Sequence, residues 1–156
     1  MSFSVSITVD KGFETPCSPE KVFSLLSDVR RSASFFPKVE RIIDEGDHVY
    51  RWEMAKICVG NYTLQQTVYA SRYICDPATL KVSWTPVIGV GNALVEGEWL
   101  LTPKDGGTSV TLRSSGEMTI DFPAILQIII APLVQIEFAD LMERYLVHLK
   151  ETFSAM

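Results

Sequence analysis

Clusters of basic residues are missing from this chain. Its 14 lysines and arginines are scattered among 19 acids, for a net charge of −5. Phosphate backbones and anionic lipid headgroups attract clustered positive charge, so nucleic acid and purely electrostatic membrane recruitment are poor fits. Cysteine is scarce and unpatterned. Cys17, Cys58 and Cys75 are odd in number and lack CxxC spacing, which argues against a disulfide framework or zinc site and for reduced thiols in the cytoplasm. His48 and His148 are the only histidines, and no HExxH motif, Ser-His-Asp order or nucleotide-binding glycine loop appears. Neither a metal nor a cofactor is expected. The opening "MSFSVSITVD" has no basic region followed by a continuous apolar one, so no secretory leader is read there. Long apolar runs are absent too. The richest, "AILQIIIAPLVQIEF" over 124–138, holds eleven apolar residues, short of the roughly 20 that a membrane crossing needs.

What is present points to a well-filled interior. At 156 residues and 47% hydrophobic content the chain reads as one domain, able to bury about two-thirds of its unfolded surface. Phe3, Val5, Ile7, Val9 and Phe13 share one parity, which predicts a strand over 3–15 with one buried face. In "CSPEKVFSLLSDV", Ser18 suits an N-cap, Pro19 the first helical position, and Val22, Leu25, Leu26 and Val29 an apolar stripe. A second helical piece, "RRSASFF", stops at Pro37.

From there to about residue 119 the pattern is nearly all strand. "KVERIIDEG" and "HVYRWEMAKI" meet at Gly46-Asp47, "NYTLQQTVYASRYI" reads as one strand, and "LKVSWTPV" leads into the loop "IGVGN". "KDGG" joins "ALVEGEWLLTP" to "TSVTLRSSGEMTI", and Asp-Gly suits a primed hairpin turn. Placing Asp105 and Gly106 in that turn pairs residues whose numbers sum to 211. Trp99 then opposes Leu112, Leu101 opposes Val110, Gly97 opposes Ser114 and Val95 opposes Gly116 on an apolar face. Glu98 opposes Arg113 on a polar one. The small residues of the inner face either let the sheet bend or leave room for a ligand. The chain from Pro123 to Phe153 reads as helix, kinked or divided at Pro132. The order predicts an α+β domain: strand, two short helices, about six more antiparallel strands, then a long C-terminal helix.

"SPEKVFSLLSDV", "FFPKV", "GEWLLTPKDGGTSVTL" and the amphipathic C-terminal helix together resemble the START/Bet v 1-like superfamily. The nearest likeness is to its small bacterial members named after polyketide cyclases, dehydrases and lipid transport. The resemblance covers nearly the whole chain, through loose patterning rather than an invariant catalytic signature. It implies a helix-grip fold, in which a curved antiparallel sheet of about six or seven strands wraps the long helix around a hydrophobic cavity. Carried over by position, the lining would be Tyr50, Trp52, Met54, Leu64, Gln66, Val68, Trp84, Trp99, Leu101, Leu112, Leu133, Phe138, Leu141, Met142 and Tyr145.

By strand parity, the polar candidates for such a cavity are Gln66, Ser114, Tyr50 and Tyr145, with Arg72 expected outside it. Glu53, Glu96 and Glu98 fall on the solvent parity, and no carboxylate is placed inside. The 124–133 stretch is expected to form cavity wall; contact with a membrane is less favoured, because surface docking usually brings basic residues. The function that follows is binding or carrying a hydrophobic or aromatic small molecule such as a lipid, isoprenoid or polyketide-like chain. The alternatives are an aromatase/cyclase or dehydrase and a protein-interaction or assembly module. Monomer and homodimer both remain open, the latter through the 124–133 stretch.

Overall fold

Alternating side chains build the first strand as expected. In the computed structural model, which describes residues 2–156 and every side chain among them except those of Val59 and Leu64, β1 runs Phe3–Thr15 with Phe3, Val5 and Val9 buried. Ser18 then caps α1 (Pro19–Ser27), its hydroxyl accepting from the Lys21 amide at 3.4 Å. That helix buries Val22, Leu25 and Leu26. Asp28 caps α2 (Val29–Ala33) in the same way, through the Arg31 amide at 3.2 Å. α2 is shorter than "RRSASFF", and the chain turns through Phe35 and Phe36 before Pro37.

The strands that follow are β2 (Val39–Gly46), β3 (Val49–Met54), β4 (Ile57–Val59), β5 (Tyr62–Gln65), β6 (Val68–Asp76), β7 (Lys81–Pro86), β8 (Ala93–Lys104) and β9 (Gly107–Ile120). Seven form one antiparallel sheet in the order β1-β9-β8-β7-β6-β3-β2, while β4 and β5 pair as a separate ribbon. The β8–β9 register is the one the Asp-Gly turn implies, with Trp99 opposite Leu112 and Gly97 opposite Ser114. Only Gly106 there takes a positive φ, 76°. Both residues of the Asp47–His48 turn do, at 52° and 62°, so the primed geometry belongs to the β2–β3 hairpin.

"NYTLQQTVYASRYI" is not one strand. It breaks after Gln65, because Asn92 occupies the ladder positions where β6 begins. The Asn92 Oδ1 accepts from the Val68 amide at 2.9 Å, and its Nδ2 donates to the Gln66 carbonyl at 2.8 Å. Gly91 makes this approach feasible. A Cβ there would lie 2.0 Å from the Val68 carbonyl oxygen, and its φ is +66°.

A short 3₁₀ turn (Ala124–Leu126) leads into α3 (Gln127–Ser154), which passes Pro132 without dividing. Ile130, Val134, Leu141, Tyr145, Leu149 and Phe153 are buried along its inner face. An 18-residue window of the 124–154 helix is apolar enough to cross a membrane by length and composition, with a mean hydropathy of 1.7. That inner face is nevertheless part of the core, and Gln127 and Gln135 tie the helix to the β1 carbonyls of Ser4 and Ser6. α1 covers β7 to β9, α3 lies along β1, and the space between sheet and helices holds the site.

Candidate functional site

Eight aromatic rings define that space: Phe36, Trp52, Tyr69, Tyr73, Trp84, Trp99, Phe138 and Tyr145. They surround a cavity of about 100 Å³, completed by Leu26 and Val29 from the cover helices, Leu112 and Met118 from β9, Met142 from α3 and a few smaller side chains. The rings touch in sequence. Trp99 meets Tyr145 at 6.0 Å, Tyr145 meets Phe36 at 5.0 Å, Phe36 meets Trp52 edge-on at 6.2 Å, and Trp52 stacks on Tyr69 at 5.8 Å and 11°. Tyr73 continues the wall to Trp84 at 5.6 Å and receives the Trp52 indole N–H at 3.1 Å. Such contacts hold ring faces in fixed orientations, which suits a flat apolar guest.

Polar groups are few and almost all committed. Ser32 on α2 and Tyr145 on α3 share a buried 2.6 Å hydrogen bond that joins cover to helix across the cavity. Ser114 donates to the Glu96 carbonyl at 3.1 Å, and Thr67 to the Met118 sulfur at 3.5 Å. The Tyr69 hydroxyl makes no hydrogen bond among the described residues and is not a sealed-off atom, since no buried side-chain oxygen among them lacks a partner; its ring lines the cavity. Burial pushes the Tyr69, Tyr73 and Tyr145 hydroxyls well above the ordinary phenol value; the Trp52 and Ser32 hydrogen bonds pull the latter two partly back. They remain neutral donors at any physiological pH. Among the described residues no carboxylate, imidazole, amine or guanidinium lines the cavity.

Trp52, Met54, Trp84, Trp99, Leu112, Ser114, Phe138, Met142 and Tyr145 all come to this cavity, from strands and a helix far apart in the chain. Other expected positions do not. Gln66 lies in the break between β5 and β6, its amide donating to the Met54 carbonyl at 3.3 Å. The parity assumed for this segment is also the opposite of the one observed, on both sides of the break, since Gln65 and Thr67 are buried as well. Trp52 pairs with Tyr69 and Glu53 with Val68, so Tyr69 and Tyr73 point inward and Val68 outward, against Gly91. Tyr50 sits one layer toward the rim, with its ring 5.7 Å from Tyr73. Leu101 and Leu141 are buried in solid core beyond the cavity. Leu133 is 41% exposed, on the outer side of α3. Leu64 has no described side chain.

Arg72 is outside, donating to the Asp47 carbonyl at 3.0 Å, and Glu53 faces outward between Arg41 and Arg51. Glu98 is held by Lys81 at 3.3 Å rather than by Arg113, which reaches Asp10 at 3.7 Å. The gap at Gly97 holds no ligand space. A Cβ there would meet the Trp84 ring at 2.6 Å and the Arg113 carbonyl oxygen at 2.5 Å, so the missing side chain makes room for the indole. Nor is 124–133 cavity wall. Ile125 and Ile128 are each 85% exposed, and only Ile130 in the stretch is fully buried. Of the lining residues left unassigned by pattern, Ile7 and Val95 lay on faces already read as buried. Tyr69 and Tyr73 lie on the parity opposite to the one expected for their segment.

Residues 3–154 match the family described as polyketide cyclase / dehydrase and lipid transport. The chain belongs to that family. No curated protein matches it significantly. Among solved structures it is similar to TTHA0849 from Thermus thermophilus, at 20% identity and a TM-score of 0.66 over 96% of this chain and 97% of that one. A START superfamily protein from Mycobacterium smegmatis shares 15% identity with a TM-score of 0.65, covering 95% of this chain and 97% of its own. The Zhui aromatase/cyclase from Streptomyces sp. R1128 shares 17% identity with a TM-score of 0.55, covering 98% and 94% respectively. At these identities the likeness establishes the START/Bet v 1-like helix-grip fold, with its curved seven-stranded antiparallel sheet and long C-terminal helix.

Proposed function

We propose that this protein binds a flat, uncharged apolar molecule in the aromatic cavity and acts as a binding or carrier protein. The observation that carries the reading is a lining of eight aromatic rings with no charged side chain among the described residues. Moving apolar surface out of water contributes about 25 cal/mol per Å², and stacked rings add specificity for planar guests. The unpartnered Tyr69 hydroxyl would orient the guest by donating to an acceptor such as a ring carbonyl.

Size narrows the class further. At about 100 Å³ the cavity lies below the roughly 300 Å³ at which typical ligand pockets begin. One ring fits with modest side-chain movement, whereas a long acyl or polyketide chain requires α3 or the α1–α2 cover to shift. An aromatase/cyclase reading needs a proton acceptor inside, and tyrosines raised by burial are poor ones.

The test uses the neutral one-ring probe acetophenone, followed by titration calorimetry and by quenching of Trp52, Trp84 and Trp99. Saturable one-to-one binding that Met142→Trp abolishes, with an unchanged circular dichroism spectrum, supports the reading. Binding that survives the filled cavity, or no binding at all, sinks it.

A further inference from the structure

The outer face of α3 and of the 3₁₀ turn before it carries the clearest unexplained feature. Ile125 and Ile128 are each 85% exposed, Ile136 67%, Ile129 60% and Leu133 41%, and the proline at 132 is exposed between them. Ile129, Pro132 and Ile136, at spacings of three and four, form one stripe on α3 opposite the buried face, flanked by Ile128 and Leu133, and Ile125 extends it from the 3₁₀ turn. From Phe122 through Ile136 the sequence has no charged residue, whereas from Glu137 onward it carries Glu137, Asp140, Glu143, Arg144, Lys150 and Glu151. The stripe offers on the order of 500 Å² of apolar surface per copy, at the upper end of what monomers expose.

We infer that this stripe is the interface of a homodimer, in which α3 packs antiparallel against α3 of a second copy. Its symmetry supports this. With residues paired so that their numbers sum to 261, Ile125 meets Ile136, Ile128 meets Leu133, and Ile129 meets Pro132. The stripe is therefore self-complementary under a two-fold axis, as an isologous contact requires. Antiparallel packing also leaves the charged turns from Glu137 onward beyond the other copy's stripe. A parallel arrangement would oppose Asp140 to Asp140 and Glu143 to Glu143. Asp140, which the antiparallel pairing brings toward Asp121 at the rim, is already held by Arg144 at 2.6 Å. Two such faces bury roughly 1,000 Å², where specific interfaces begin. A lipid surface fits less well: the stripe has no lysine, arginine, tryptophan or tyrosine to anchor at headgroups, and the chain's net charge is −5.

Sedimentation velocity from 1 to 200 µM tests this on the full chain and on Ile129→Glu/Ile136→Glu, with circular dichroism and thermal melting as controls on folding. Both positions are exposed, so the fold should be unaffected. A discrete wild-type dimer that the double variant weakens at least 100-fold supports the interface. A wild-type monomer throughout the range overturns it, as does a dimer indifferent to the variant or an open-ended series of oligomers. Flotation of a monomeric wild type with phosphatidylcholine vesicles, lost in the variant, also overturns it and gives the face to lipid.

Discussion

The Ser32–Tyr145 hydrogen bond offers the sharpest test of how the cavity is held shut. The bond is short, at 2.6 Å, buried, and joins residues 113 apart in sequence, so it ties α2 to α3. Removing one partner leaves a buried hydroxyl facing an apolar cavity, which costs about 1–3 kcal/mol. Ser32→Ala and Tyr145→Phe should each lose that much by urea denaturation. Tm should fall by about 2–4 °C per kcal/mol in a chain of this size. Removing both leaves no orphan, so the double variant should lie well above the sum of the singles, with a coupling of about 1–2 kcal/mol. Loosening the cover should also speed entry of acetophenone, measured by stopped-flow tryptophan quenching. Additive losses, with coupling below about 0.3 kcal/mol, would show that the two hydroxyls do not bond and would refute the argument.

Other perturbations follow from the same geometry. Gly97→Ala should destabilise by about 1–3 kcal/mol through overpacking; in a Trp84→Leu background, itself less stable, the same substitution should cost less, because the ring clash is relieved and the clash with the Arg113 carbonyl is not. An unchanged melting curve for Gly97→Ala would contradict that packing. Tyr69→Phe should weaken a carbonyl-bearing ring about 2- to 12-fold, the worth of one neutral hydrogen bond, and leave a pure hydrocarbon unaffected; equal loss for both probes would remove Tyr69 as the orienting group. The buried tyrosines set an alkaline limit. Tyr69, Tyr73 and Tyr145 have raised folded-state values, so their contribution is fully present below the unfolded phenol value near 10 and is lost as pH rises beyond it. Once all three ionise only in the unfolded chain, stability should fall by up to about 4 kcal/mol per pH unit. Phenolate absorbance from them should appear only with unfolding, and its appearance in the folded protein near pH 10 would refute their raised values.

Local pattern alone determined much of this protein. Parity, caps and turn residues fix which face of β1 and of the β8–β9 hairpin is buried, where α1 starts, and that Trp99 opposes Leu112. These depend on neighbours in sequence, so the sequence displays them directly. The resemblance to START/Bet v 1-like proteins added the architecture and the presence of an apolar centre. Tertiary structure decided the rest, wherever a distant group overrides the local pattern. Asn92, from a loop, cuts the segment around Gln66 and Thr67, and the β3–β6 register sets Trp52 opposite Tyr69. That register brings Tyr69 and Tyr73 to the cavity in place of Gln66 and Val68. The Trp84 indole fills the space beside Gly97 that the hairpin alone left unassigned. The exposed face of 124–136 was equally hidden. An isoleucine packed in a core and one facing solvent are the same letter, and only the sheet's position against α3 says which is which.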